Sequence, residues 1–281
     1  MILSIHSIET GKFKLDGGAM FGVVPKTMWS KLNPPDETNM CTWAMRCLLI
    51  RTETRNILID TGMGTKQDEK FRSFFHPHGS DDLISSLSKL GIQKEAITDV
   101  LLTHLHFDHC GGAVSKKPSG ELVPSFPQAK YWSNALHWQW AKSPNDREKA
   151  SFLKENFIPL EEQGLVEFIN ISSHDHSWLE GISLRFVYGH TEAMMLAFIP
   201  FQDKTYVYCA DLLPSSYHIS IPFIMAYDIR PLISLEEKNR LLQEAVEFGH
   251  ILILEHDPDH AACTVKKNDQ GRIILDQYRD L

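Results

Sequence analysis

The sequence predicts an α/β protein built as a layered αβ/βα sandwich, and three observations lead to this fold class. Short apolar strands alternate with segments of helical periodicity along the 281 residues, which favours sheets covered by helices. Two apolar strands, residues 56–60 and 205–211, each end in an aspartate before a loop, so the two halves of the chain resemble one another. No linker or change of composition separates them, and we therefore expect one domain over residues 1–281, made of two pseudo-repeated αβ halves.

The first half is predicted to begin with strands. Apolar and polar residues alternate at the start of the chain, and later apolar runs are separated by hairpin and helix-start signals. The predicted elements are, in order, strands 2–8, 43–50 and 56–60, a helix from 80–82 to a stop at Gly91, the buried strand 100–102, and a mostly helical stretch from about 133 to 156.

The second half is predicted to contain more strands and one long helix. Residues 212–233 form a connection that is too long to be a simple turn in a compact domain. The helix after it is predicted to start with a capping box at Ser234 and to end before Gly249. The predicted strands of this half are 165–171, 182–188, 194–199, 205–209 and 251–254.

The charge and the cysteines exclude several classes of protein. Lysine and arginine number 28 against 36 aspartate and glutamate residues, a net charge of −8, which argues against nucleic acid or an anionic membrane as partner. The five cysteines are scattered, without a Cys-x-x-Cys pair, which is typical of reduced thiols in a cytoplasmic protein. The first residues lack the pattern of a signal peptide, and no run of 18 apolar residues occurs.

Four potential metal ligands lie within six residues, directly after the predicted strand 100–102. A strand anchors such a segment while the loop after it turns side chains towards one point. Imidazole and carboxylate suit zinc, and also iron, manganese or cobalt. The four residues are His104, His106, Asp108 and His109.

Three further ligand candidates also follow apolar strands, and these are His190, Asp211 and His256. Five histidines and two aspartates suffice for two ions, with one carboxylate bridging and one position open for water. The remaining histidines are expected to be ordinary surface or core residues. They include His6, His76, His78, His137, His174, His176, His218 and His250.

These seven residues make the chain resemble the metallo-β-lactamase superfamily, whose signature is His-x-His-x-Asp-His followed by separated His, Asp and His. The Ile59 to Gly62 segment also resembles a family element, in which the aspartate, here Asp60, supports the site from outside the ligand shell. The resemblance runs from about residue 40 to residue 260 and implies the four-layer αβ/βα sandwich of that family. The segment from His104 to Gly112 is most similar to the quorum-quenching lactonase and methyl parathion hydrolase branch.

The resemblance also implies a site and a reaction. His104, His106 and His190 would hold a first metal ion. Asp108, His109 and His256 would hold a second, with Asp211 bridging the two. The expected cofactors are two divalent ions, most readily Zn²⁺, and the expected reaction is cleavage of a lactone, aryl ester or phosphotriester by a hydroxide that bridges the ions. Asp108 is the expected proton shuttle.

Two departures from the branch concern its later motifs. Glu192, Ala193 and Met194 stand where many relatives continue the His190 motif with Pro-Gly-His. Pro214 occupies the position at which lactonases place a tyrosine, three residues after the bridging aspartate. The nearest residues that could polarise a substrate instead are Tyr217 and His218.

Substrate selection is predicted to depend on the long loops 16–40 and 212–233. Their aromatic residues could form the wall of an apolar pocket for a small-molecule substrate. They could equally cover the core or form a contact in a homodimer. The candidates are Phe21, Trp29, Tyr217, His218 and Phe223, and His260 is a candidate neighbour of the metal site.

Other functional classes use the same ligands. A thioesterase of the hydroxyacylglutathione hydrolase type would share the metal chemistry, and a non-catalytic metal-binding protein is the alternative from a different class. The net charge of −8 disfavours an RNA nuclease. A di-iron redox protein of this fold would usually carry glutamate in place of His106.

Overall fold

The fold is taken from a computed structural model that describes residues 1–171 and 175–281, so His174 lies outside the described residues. The strands are β1 (Ile2–Asp16), β2 (Met40–Thr52), β3 (Asn56–Ile59), β4 (Asp99–Leu101), β5 (Val114–Lys116), β6 (Leu122–Pro124), β7 (Lys130–Ser133), β8 (Val166–Phe168), β9 (His176–Ser177), β10 (Ser183–Val187), β11 (Met194–Phe201), β12 (Lys204–Tyr208), β13 (Ile251–Ile253), β14 (Ala262–Lys267) and β15 (Ile273–Arg279). The helices are α1 (Gly17–Phe21), α2 (Lys26–Trp29), α3 (Glu69–Phe75), α4 (Leu83–Lys89), α5 (Phe107–Cys110), α6 (Ala135–Lys142), α7 (Ile158–Glu162) and α8 (Pro231–Phe248).

The chain divides into two compact units. The first unit comprises Met1–Gly11 and Met45–Ser173, and the second comprises Lys12–Ala44 and His174–Leu281. The strands β1 and β2 therefore contribute residues to both units. The expectation of a single domain stays a prediction.

A sheet of the first unit brings two functional loops to one edge. The sheet has the order β1-β2-β3-β4-β7-β8, in which β3, β4, β7 and β8 run parallel. Ile59 at the end of β3 pairs with Leu101 at the end of β4. The amide of Asp60 continues this ladder by donating to the Leu101 carbonyl at 2.9 Å. Because parallel strands end at the same edge, the segments after residues 59 and 101 start side by side.

A sheet of the second unit places the ends of three other strands at one edge. Its order is β15-β14-β13-β12-β11-β10-β9. β12 and β13 are parallel, and β11 is antiparallel to both β10 and β12. The ends of β10, β12 and β13 therefore share one edge, from which the loops with His190, Asp211 and His256 start.

The helix α8 is the longest among the described residues, and it begins earlier than predicted. It starts at Pro231 rather than at Ser234, because proline at the first helical position has its φ angle already set and needs no amide partner. Ser234 is therefore buried inside the helix. None of the helices in the described ranges is both long and apolar enough to span a membrane.

The predicted helical stretch from 133 to 156 is wrong over much of its length. The helix α6 ends at Lys142, and only a short 3-10 turn follows, at Lys154–Asn156. Pro144 explains the stop, since a proline disfavours helical geometry in the residue before it. The predicted strand 2–8 is also too short, because β1 extends to Asp16.

The glycines after the His104 motif allow two backbone segments to touch. The amide of Gly112 donates to the Gly62 carbonyl at 2.9 Å. A Cβ atom on Gly112 would overlap the Thr61 carbonyl oxygen, and one on Gly111 would overlap the Met63 carbonyl. These contacts are between backbone atoms, so no side-chain rotation can relieve the overlap.

We expect Gly112→Ala to lower the free energy of unfolding by about 3 kcal/mol, because the added methyl group forces two backbone segments apart. Urea unfolding of the metal-free protein measures this change. Gly120→Ala is the control: Gly120 has a φ of +89° with nothing within 4 Å of the added atom, so it costs only backbone strain of about 1 kcal/mol. Equal losses in the two variants would contradict the close-approach explanation.

Candidate metal centre

The first group of candidate ligands lies together at the sheet edge of the first unit. His106 precedes α5 and Asp108 and His109 lie within it, and all are buried with His104. The ring centroid of His104 is 3.9 Å from that of His109 and 4.6 Å from that of His106. Potential ligand atoms of His104 and His106 lie within 4.8 Å of one another, as do those of Asp108 and His109. Folding thus brings this predicted group together.

Asp60 organises this group from the neighbouring loop. It is fully buried and has a φ of +57°, an uncommon backbone conformation for a residue other than glycine. Its carboxylate accepts hydrogen bonds from the amide of Thr103 at 2.8 Å and from the hydroxyl of Thr103 at 2.7 Å. It also faces Nδ1 of His109 at 3.2 Å. These contacts link Asp60 to His109 and to the residue before His104, and its role in supporting a metal site stays a prediction.

These contacts set the tautomers of two histidines. The Thr103 hydroxyl gives its proton to Asp60, so its oxygen can accept from Nδ1 of His104, which lies 3.1 Å away. Nδ1 of His109 can likewise donate to Asp60, because an ionised carboxylate only accepts. Each neutral ring then carries its lone pair on Nε2, the atom that a metal ion would bind.

Two further residues contact the motif, although no sequence pattern indicates that they lie near it. His137, expected to be an ordinary histidine, is buried and uses Nε2 to accept a hydrogen bond from the amide of Leu105 at 2.8 Å. It fixes the backbone between His104 and His106. Glu148 is buried, with Oε1 3.7 Å from Nε2 of His106. Neither residue belongs to a pattern with its partner along the chain, so only the folded structure reveals them.

The second unit gathers His190, Asp211 and His256. All three are buried. Nε2 of His190 lies 3.0 Å from one oxygen of Asp211, and Nε2 of His256 lies 3.0 Å from the other. One carboxylate thus faces two imidazoles, one with each of its oxygens.

The far side of each of these imidazoles is also fixed. Nδ1 of His190 is 2.8 Å from Oδ1 of Asp228, and Nδ1 of His256 is 2.7 Å from the carbonyl of Ala44. Burial acts to lower the pKa of His190, but the carboxylates of Asp211 and Asp228 outweigh it and raise the pKa to about 10. Asp228 is a functional candidate that the sequence does not reveal, since it lies within the long connection 212–233.

This donor set fits a divalent cation. A carbonyl oxygen can only accept, so Nδ1 of His256 carries a proton and the neutral ring turns a lone pair towards Asp211. A lone pair and a carboxylate oxygen 3.0 Å apart repel each other unless a positive charge lies on or between them. Neutral imidazoles with an outer hydrogen bond, combined with carboxylates, are typical zinc ligands.

The predicted substrate residues occupy a different environment. Phe21 and Trp29 are buried and stacked on each other, with ring centroids 5.3 Å apart. The other face of Phe21 stacks on His218 at 4.9 Å, and Phe223 contacts its edge at 6.1 Å. This buried cluster is what the alternative interpretation, aromatic residues covering the core, leads one to expect. A role in substrate binding stays a prediction.

The two candidates for polarising a substrate are engaged elsewhere. Nε2 of His218 lies 2.9 Å from the Met20 carbonyl, and its Nδ1 lies 2.8 Å from the Ser215 hydroxyl. Burial lowers the pKa of His218 to about 3, so the ring is neutral at ordinary pH. The hydroxyl of Tyr217 donates to Asp259 at 3.3 Å. Burial, followed by nearby carboxylates, raises the pKa of Tyr217 above its ordinary value.

His260 stacks on Tyr278, with ring centroids 3.4 Å apart. Its backbone amide donates to Asp257 at 2.9 Å. Asp257 follows the candidate ligand His256, is fully buried, and also accepts from the amide of Ser216 at 2.9 Å. His260 is therefore linked to the ligand loop through its backbone, and a role for its side chain at the metal site stays a prediction.

Comparison with known proteins gives a family and a set of relatives. Residues 46–267 match the model of the metallo-β-lactamase superfamily. The N-acyl homoserine lactonase AiiA of Bacillus thuringiensis subsp. kurstaki is 23% identical over 269 residues, which cover 91% of this chain and 94% of the lactonase. A lactonase from Bacillus cereus is 23% identical over 243 residues, which cover 81% of this chain and 86% of that protein.

Solved structures share the fold over nearly the whole chain. A probable metal-dependent hydrolase from Staphylococcus aureus superposes with a TM-score of 0.88 and 29% identity, covering 99% of this chain and 96% of its own. AidC, a dizinc quorum-quenching lactonase in complex with a product, has a TM-score of 0.78 and 19% identity. The superposition covers 100% of this chain and 98% of AidC.

The family model spans well over half of the chain, and the structural likeness extends to both ends. These comparisons confirm the predicted αβ/βα sandwich and the coarse prediction of a metal-dependent hydrolase similar to the lactonases. The candidate ligands that the motif indicates are buried at the strand ends from which they were predicted to project. The chain belongs to the metallo-β-lactamase superfamily.

Proposed function

We propose that this protein hydrolyses an ester-like bond, in a lactone, an aryl ester or a phosphotriester, with two divalent metal ions. The ligands would be those that the family motif assigns. His104, His106 and His190 would hold one ion, and Asp108, His109 and His256 the other, with Asp211 shared between them. Zinc is the proposed metal because neutral imidazole and carboxylate suit it, while iron, manganese and cobalt are compatible with the same set.

The arrangement around Asp211 carries this proposal. Its two oxygens each lie 3.0 Å from a histidine Nε2, and both rings are held from behind by an acceptor. A carboxylate that addresses two separate imidazoles in this way has the geometry of a ligand shared between two cations. A structural zinc site would need only four ligands around one ion, whereas the motif supplies seven.

The residues around the ligands support hydrolysis of an apolar substrate. Bound divalent ions would lower the pKa of water towards neutrality and polarise a carbonyl or phosphoryl oxygen. Asp108 is buried, with Oδ2 3.8 Å from Nε2 of His109, and it would take up a proton and pass it to the leaving oxygen. Phe107, next to Asp108, packs against Phe71 and Phe75 with ring centroids 5.1 and 4.4 Å away. Such an aromatic surface favours an acyl or aryl group near the reacting bond.

The relatives support ester cleavage. Pro214 stands where lactonases place a tyrosine, and this difference argues for a broad class of substrates rather than for a lactone alone. AiiA is an N-acyl homoserine lactonase. The two nearby residues that could replace the tyrosine of the lactonases already have partners. Tyr217 is hydrogen-bonded to Asp259, and His218 is hydrogen-bonded to Met20 and Ser215. We therefore include phosphotriesters and aryl esters, whose leaving groups need less help from a polarising hydroxyl.

We expect Asp211→Ala to lose one or both metal ions, because the remaining imidazoles would lack the shared carboxylate. Metal catalysis is worth several kcal/mol, so kcat/KM should fall at least about 100-fold. Metal content by mass spectrometry and turnover of an aryl ester measure both effects. Asp203→Ala, in the exposed turn between β11 and β12, should match the wild type. An Asp211→Ala protein with two ions and full activity would refute the dinuclear proposal.

Replacement of Asp108 tests the proton transfer. We expect Asp108→Asn to lower kcat by about 10²–10⁴ for a lactone, whose alkoxide leaving group must be protonated. The loss should be much smaller for a p-nitrophenyl ester, whose leaving group departs without a proton. The comparison of the two substrates in one variant serves as the control for metal loss, which would slow both. Equal slowing of the two substrates at full metal content would rule out a shuttle.

A substrate panel tests the reaction class. We expect the zinc-loaded protein to turn over at least one of a lactone, an aryl ester and a phosphotriester, and to lose this activity with a chelator and regain it with added Zn²⁺. Glutathione thioesters complete the panel. Turnover of the thioesters alone would replace our proposal with a thioesterase, and failure on every class would favour a non-catalytic metal-binding protein.

A further inference from the structure

The candidate ligand His190 lies in a loop whose own residues do not favour its conformation. Residues 188–193 connect the antiparallel strands β10 and β11. Glu192 and Ala193 stand where many relatives have Pro-Gly. A proline would fix its own φ angle, and Ala193 is fully buried with a φ of +52°, a conformation that favours glycine. The loop therefore depends on contacts from outside it.

The segment that precedes α8 supplies contacts to the backbone of this loop. The amide of Ile229 donates to the His190 carbonyl at 3.2 Å. The amide of Arg230 donates to the Gly189 carbonyl at 2.9 Å, while its own carbonyl accepts from the amide of Ser234 at 3.0 Å. Since Ser234 lies in the first turn of α8, the helix holds the segment that in turn holds the ligand loop.

The side chain of Arg230 closes the same loop at its base. Nη1 donates to the Tyr188 carbonyl at 2.8 Å, and Nη2 donates to Oε2 of Glu192 at 2.6 Å. Tyr188 lies on the limb that enters the loop, and Glu192 lies on the limb that leaves it. A guanidinium group is planar and rigid, so hydrogen bonds from its two terminal nitrogens fix the distance between the limbs. His190 lies between these two anchor points in the sequence.

We propose that Arg230 is a positioning residue that ties the two limbs of the loop together and thereby orients His190 towards a metal ion. Its ion pair with Glu192 fixes from outside a turn that Pro-Gly would fix from within. The side chains of Glu192 and Arg230 are 15% and 34% exposed, so water screens the pair only in part. A metal ligand must be held within about 0.5 Å of its working position. This inference rests on the proposed function, in which His190 binds a metal ion.

Replacement of Arg230 by lysine keeps the charge and removes the rigid fork. We expect Arg230→Lys to bind Zn²⁺ about 10-fold more weakly in a chelator competition. The visible absorption of the Co²⁺-loaded variant should also change, because it depends on coordination geometry. Arg272→Lys, an exposed change between β14 and β15, is the matched control and should leave both measurements unchanged. Wild-type affinity and absorption in Arg230→Lys would overturn the proposal.

A double-variant comparison tests whether Arg230 acts through Glu192. Glu192→Gln keeps the shape of the side chain and removes one charge of the pair, so it should also weaken Zn²⁺ binding. The loss in the double variant should fall short of the sum of the two single losses, because both changes disrupt the same link. Fully additive losses would show two independent effects and would overturn the link between the limbs.

Amide hydrogen exchange in the metal-free protein gives a readout that needs no metal ion. The amides of Ile229 and of residue 230 should exchange at least about 10-fold faster in Arg230→Lys, because the loop opens locally. The free energy of unfolding in urea should stay near that of the wild type. Unchanged exchange, or a loss of global stability large enough to explain the faster exchange, would overturn the positioning role. A wild type that binds no Zn²⁺ would refute the proposed function, while exchange at these amides would still decide the role of Arg230.

Discussion

A neutral imidazole has one proton to donate and one lone pair to offer, and this limit governs the arrangement around the site. Burying such a ring is costly unless both nitrogens have suitable partners. Asp60 meets the requirement in the first unit, where its carboxylate fixes His109 directly and His104 through Thr103. The parallel pairing of β3 and β4 puts the Asp60 loop beside the histidine loop. The pairing of β3 with β4 thus decides which ring nitrogen of His109 is left for a metal ion in the proposed site.

The second unit meets the same requirement with partners from distant parts of the chain. His190 is held by Asp228, which is 38 residues away. The loop before His190 is held by Glu237 in the second turn of α8, whose carboxylate accepts from the amides of Tyr188 and Gly189 at 2.7 and 3.0 Å. A Cβ on Gly189 would overlap Ser234, so the helix packs directly on this loop. The early start of α8 is therefore connected to the position of the candidate ligand His190.

The candidate ligands follow from local patterns in the sequence, whereas the residues that contact them do not, for a physical reason. Candidate ligands such as His104 and Asp211 follow apolar strands, and strand ends are recognisable from local pattern. Asp60 is predictable for the same reason. Glu148, Asp228 and His137 act through single long-range contacts, for example across 32 residues between His137 and Leu105, and such contacts leave no local pattern. The end of α6 is predictable from Pro144, because a proline disfavours helical geometry in the residue before it. The burial of Phe21 and Trp29 is not predictable in this way, because it depends on how the loops fold.

The connection after Asp211 is held to α8 by hydrogen bonds from one buried residue. Lys238 on α8 is fully buried, and its Nζ donates to the carbonyls of His218, Ser220 and Phe223 at 3.0, 3.1 and 2.7 Å. Burial lowers the pKa of Lys238 to about 7, and the carboxylate of Asp228 opposes that change. Three oxygens on one nitrogen leave this stretch little freedom to move, because any displacement would strand a buried donor. Substrate selection near this stretch would then depend on a preformed surface, and changes in specificity would require changes in the residues of that surface rather than in its mobility.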